Sequence, residues 1–89
     1  MPEQIASRDW HTRARVRILE TTQVGSPEGG THTFHAGQEV TMVQWGRAGR
    51  EVTRTAWWTD FDIDGAFILK SKYVEVLEIL DEISPESEA

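Results

Sequence analysis

The sequence predicts an all-β domain: a five-stranded barrel or pair of packed sheets with flexible N- and C-terminal tails. Three observations lead there. Polar and apolar residues alternate at period two where the pattern is clearest, in Arg13–Glu20. The apolar runs are short and rich in β-branched and aromatic residues. Glycine, proline and an Asp-Gly step separate them at turn-like intervals.

The first run, Arg13 to Glu20, sets Arg13, Arg15 and Arg17 against Ala14, Val16 and Ile18, a strand with one wet face and one buried. Thr21 to Thr33 reads as a long loop, broken by Gly25, Pro27, Gly29 and Gly30. Gln38 to Trp45 is a second strand, and Gly46 to Glu51 a short turn. Val52 to Ile63 is a third strand, Asp64-Gly65 a hairpin signal, and Ala66 to Lys70 a fourth. A break at Ser71 to Tyr73 precedes a fifth strand over Val74 to Leu80. That last stretch also carries helix-like spacing through Val76, Leu77 and Leu80, and its β-branched residues favour the strand.

A chain of 89 residues holds one domain. A domain of this size buries only about 60% of the surface its unfolded chain exposes, so its four tryptophans must supply much of the core. Residues 1–12 read as a flexible lead in which only Trp10 has reason to dock, 13–80 as the working domain, and 81–89 as an acidic, disordered tail. No cysteine is present, which excludes disulfides, thiolate chemistry and cysteine-based metal sites and favours a reducing, cytoplasmic setting. The opening residues hold no signal-like apolar run, and no apolar stretch approaches a membrane span. The net charge of −6 is uneven: residues 1–54 set seven arginines against six carboxylates, while residues 55–89 set two lysines against nine.

The pair Trp57-Trp58 and the turn Ser71-Lys72-Tyr73-Val74 resemble the second half of a Src-homology-3 (SH3) domain. The layout of residues 13–80 is similar too. Thr21–Thr33 stands where the family carries its long RT loop, Gly37-Gln38-Glu39 where a Gly-led step enters the second strand, and Gly46–Arg50 where the n-Src loop belongs. The resemblance implies an SH3-like barrel with Trp57 and Tyr73 on the ligand side. The chain departs from the family at the proline groove. Where the family has its "ALYDY" tyrosines this chain reads "RVRILETT", and Lys70 replaces the groove proline. The resemblance therefore implies the barrel more than binding of polyproline, which needs flat aromatic walls.

Alternation gives its own reading of the aromatic strand. Trp57, Thr59, Phe61 and Ile63 share one face, and Trp58, Asp60, Asp62 and Asp64 the other. Three unpaired carboxylates do not enter a core, so the second face is wet and Trp58 is outward. The family match instead sets Trp57 at the ligand. The candidate ligand-binding residues are therefore Trp57, Trp58, Tyr73, Asp60, Asp62 and Asp64, suited to a partner bearing arginine or lysine. A second candidate is a phosphate-binding face of Arg13, Arg15, Arg17, Arg47 and Arg50, with Arg54 beside it. The acidic balance disfavours nucleic acid, and neighbouring carboxylates make a solvated strand face the simpler account.

His32 and His35 are three apart and fall on opposite sides of a strand, so no metal site is expected. Asp60, Asp62, Asp64 and Gly65 carry calcium-loop spacing, but the twelfth position from Asp60 is Ser71 and the flanks are strands. No serine sits in a readable nucleophile arrangement, and no cofactor is implied. The expected function is a non-catalytic interaction module, a monomer binding a protein or peptide partner through an aromatic and acidic surface. The alternatives are a nucleic-acid-associated barrel using the arginine face, or a small viral or accessory assembly subunit.

Overall fold

The computed structural model describes residues 5–27, 29–60, 63 and 65–85. The protein is all-β. Its elements in chain order are β1 (Trp10–Ile18), β2 (Thr22–Gly25), β3 (Thr31–Phe34), β4 (Glu39–Gly46), β5 (Ala56–Thr59), β6 (Ile68–Lys70), a 3-10 turn (Ser71–Tyr73) and β7 (Val74–Ile83). A five-stranded antiparallel sheet runs β6-β5-β4-β1-β7, and β2 and β3 form a separate hairpin. No closed barrel forms among the described residues: β6 and β7 are the two ends of the sheet order.

The alternation of β1 decides the sheet's two faces. Trp10, Thr12, Ala14, Val16 and Ile18 are buried, while the residues between them reach solvent. β4 pairs with β1 without a register break, from Trp10↔Gly46 to Arg17↔Glu39. Val40 and Met42 thus join the inner face opposite Val16 and Ala14. Trp57 and Leu69, directly across from one another on β5 and β6, extend it. Phe34 from the hairpin closes over this layer, with Phe67 and Val74. Burial of these side chains stabilises the fold by roughly 1.5–3 kcal/mol each.

Several boundaries differ from the sequence reading. β1 begins at Trp10, because that indole packs against the glycine at the far end of β4. A Cβ on Gly46 would overlap Trp10 Nε1 and Cε2. Ala6, within the expected lead, is buried, and its N–H donates to the Arg50 carbonyl at 3.0 Å. The Thr21–Thr33 stretch contains β2, whose Val24 packs on the core, and all of β3 but Phe34. The third strand is short, Ala56–Thr59, while β7 runs on to Ile83 through the start of the expected acidic tail. Gly37 turns β3 into β4 at φ 88°, a region open to glycine, and its N–H donates to the Ile18 carbonyl at 2.7 Å.

The β1–β7 pairing carries two register shifts. Arg17, Arg15 and Arg13 face Glu75, Glu78 and Asp81, and the shifts leave Leu77 and Leu80 without partners on β1. They are β-bulges in effect: each absorbs one extra residue and restores the alternation. Val74, Val76 and Ile79 thereby stay opposite Ile18, Val16 and Ala14 on the inner face. The helix-like spacing of this stretch is the trace of a strand interrupted twice.

Candidate functional site

Two surfaces carry the features that a binding site needs. The first lies on the outer face. Trp58 on β5 stands across from Val43 on β4 and Ile68 on β6, so the three share one row. Trp45, at the end of β4, brings its ring to 6.2 Å from that of Trp58 at an interplanar angle of 39°. Trp45 is 51% exposed, and Ile68 is exposed too. Large apolar side chains grouped on an outer face are more informative than scattered ones. Arg13, next in the row after Val43, donates from Nε to Asp60 Oδ2 at 2.6 Å.

The sequence-derived ligand residues divide across the fold. Trp57 points inward and is 4% exposed, because alternation from Trp58 turns it into the core opposite Leu69. Trp57 is therefore absent from the outer surface and reaches solvent only at the wall of a cleft on the inner side. Tyr73 is half-buried on the 3-10 turn, packed against the core, with Lys72 Nζ 5.1 Å from its ring centre. Asp60 is drawn to Arg13 and largely covered, its side chain 11% exposed. Asp62 and Asp64 lie outside the described residues. Trp45 was not among the candidates. It lies thirteen positions from Trp58 in sequence, and only the β4–β5 pairing joins them.

The arginine stripe of β1 meets carboxylates on both sides. Arg15 lies 3.6 Å from Glu39 on β4 and 3.1 Å from Glu78 on β7. Arg17 lies 3.7 Å from Glu39 and 3.2 Å from Glu75. His11 Nε2 sits 3.0 Å from Asp81 Oδ2 at the ladder's end. This alternation of sign leaves little net field for a phosphate chain. Arg47 and Arg50 sit in the β4–β5 turn with exposed side chains, joined to each other by an Arg50 N–H bond to the Arg47 carbonyl at 3.2 Å.

The second surface is a cleft of about 330 Å³ on the inner side of β7. Trp57, Val74, Val76 and Ile79 give it an apolar wall, and Thr12, Gln44, Arg54, Ser71 and Glu82 a polar one. Arg54 is fixed there. Its guanidinium carbon lies 4.6 Å above the Trp10 ring, and Nη1 donates to Thr12 Oγ1 and Gln44 Oε1, both at 3.2 Å. Thr12 Oγ1 in turn donates to Glu82 Oε2 at 3.3 Å, and Ser71 Oγ to the Arg54 carbonyl at 2.6 Å. The polar residues at the mouth of the cleft are thus bound mainly to one another.

His32 is held between Phe34 and Phe67, with ring centres 4.6 and 5.4 Å away. Its buried Nε2 has no hydrogen-bond partner among the described residues. No group of three or more His, Asp or Glu side chains is placed to hold a metal ion among those residues. No helix there is long and apolar enough to cross a membrane. No family model matches the chain, nor does any curated protein or solved structure match it significantly.

Proposed function

We propose that the protein is an SH3-like barrel, open along one seam, that acts without catalysis in the cytoplasm by binding another protein. The strand order, the hairpin between β1 and β4, and the 3-10 turn before the last strand all suit that architecture. The binding surface in this reading is the outer row of Val43, Trp58 and Ile68 with Trp45 beside it. The observation that carries it is the outward pair of Trp45, exposed, and Trp58, half-buried, two flat rings tilted against each other on a sheet face. Aromatic residues of this kind dominate interface energetics. Their faces attract guanidinium and ammonium groups, and a chain of net charge −6 draws a basic partner by long-range attraction.

The partner expected is a peptide segment carrying arginine. The test is a ¹H–¹⁵N titration with an arginine-bearing proline-rich peptide and its arginine-free counterpart, following the four indole N–H signals. The reading expects Trp45 and Trp58 to move with saturation, more strongly for the arginine peptide, while Trp57 stays still. Indoles that all remain fixed at millimolar peptide would remove the outer surface from consideration.

A further inference from the structure

We infer that the free edge of β7, with the cleft behind it, takes an extended segment of another protein in which apolar residues alternate with lysine or arginine. This goes beyond the reading above to a second surface, and Trp57 reports on it separately from Trp45 and Trp58.

β7 is ten residues long and, among the described residues, pairs in the sheet with β1 alone. Its other edge presents a row of main-chain donors and acceptors, which is a template for strand addition. The inner face beside that edge is only half covered. Val16 and Ala14 on β1 are fully buried, yet their partners Val76 and Ile79 on β7 are 45% and 47% exposed. Both line the cleft together with Trp57. An incoming strand would therefore find main-chain partners along the edge and an apolar floor for alternate side chains.

Charge selects the occupant. Residues 74–89 contain six carboxylates and no lysine or arginine. A second copy of β7 laid along the first would bring like charges together, which opposes pairing. The two register shifts add a further obstacle, because bulges disturb the regular match that self-pairing needs. A cationic strand meets neither obstacle in full: its lysines approach Glu75, Glu78 and Asp81 from the side opposite Arg17, Arg15 and His11, so that each carboxylate is shared between two basic side chains, and it can pair with the segments between the shifts. Glu82, at the polar end of the cleft, lies within reach of such a side chain.

The probe is a short, end-blocked peptide in which valine alternates with lysine, titrated into the full chain with ¹H–¹⁵N detection. Its controls are the same peptide with glutamate for lysine and a version N-methylated on one edge. Saturable shifts of the Trp57 indole and of β7 amides, for the lysine peptide alone, are expected. Ile79→Ser should weaken that binding about tenfold, since the residue is half exposed and its loss removes mainly contact area. Val76→Ser is the second variant, and retained shift dispersion in either shows that the fold survives. Three results would overturn the inference: equal binding of the glutamate peptide, shifts confined to Trp45 and Trp58, or a concentration-dependent dimer whose contact is β7. If the first surface fails its own test while Trp57 responds here, this inference stands alone.

Discussion

β1 has two neighbours, and they are built differently. On one side β4 pairs with it in unbroken register, and the inner residues Val40 and Met42 are buried. On the other side β7 pairs through two register shifts, and the inner residues Val76 and Ile79 stay half exposed. The same strand, with the same alternation, thus makes one closed seam and one open seam. The difference teaches that regular pairing next to a covering layer gives stability, whereas an edge strand with no further strand beyond it among the described residues leaves half of its inner apolar surface in solvent.

The largest expected effect breaks the closed seam at its end. Trp10→Ala should cost about 3–5 kcal/mol, since the indole is buried against Gly46 and under Arg54. Gly46→Ala attacks the same contact from the opposite strand and should cost about 1–3 kcal/mol by overpacking. Urea melts of both variants would measure this. If Gly46→Ala left stability unchanged, the close approach of the indole would be refuted.

A matched pair sharpens the comparison next. Val16 and Val76 are register partners on the inner face, and only the first is fully covered. Val16→Ala should cost about 2–3 kcal/mol, and Val76→Ala under about 1 kcal/mol. Equal losses would mean that the open seam is covered in solution.

The bulges can be removed outright. Without Leu77 and Leu80, the remaining residues from Val74 read Val-Glu-Val-Glu-Ile-Asp-Glu-Ile, close to a pure period-two strand. The double deletion should therefore fold, at a cost under about 2 kcal/mol, and keep Glu75 and Glu78 opposite Arg17 and Arg15. Its ¹H–¹⁵N spectrum and cross-strand contacts are the readout. Loss of the fold would show that the two leucines do more than take up slack.

The smallest effect belongs to the ladder of charges. Arg15→Ala should change stability by less than about 1 kcal/mol, because Arg15, Glu39 and Glu78 are all about half exposed.

These particulars also explain what was legible in the sequence. β1 and β4 could be read because burial of one face imposes alternation on the chain itself. The inward turn of Trp57 and outward turn of Trp58 follow from the same rule, because three carboxylates, Asp60, Asp62 and Asp64, do not enter a core; Asp60 nonetheless is covered, by its pairing with Arg13 on the outer face. The hairpin of β2 and β3 read as a loop because Val24 and Phe34 are its only aliphatic or aromatic anchors and glycines flank its tip. The ladder between β1 and β7 was hidden because acids at spacing three meet arginines at spacing two, and no periodicity predicts where a bulge falls. The pairing of Trp45 with Trp58 depends on which strands neighbour each other, which is a property of the sheet and not of either segment.

Amide hydrogen exchange along β7 tests the contrast of seams most directly. The account predicts slow exchange for the amides between β1 and β4, and fast exchange for the β7 amides that face away from β1. Addition of the lysine–valine peptide should slow that second set. Uniform protection of every β7 amide in the free protein would contradict the account, because the edge on which it depends would already be covered.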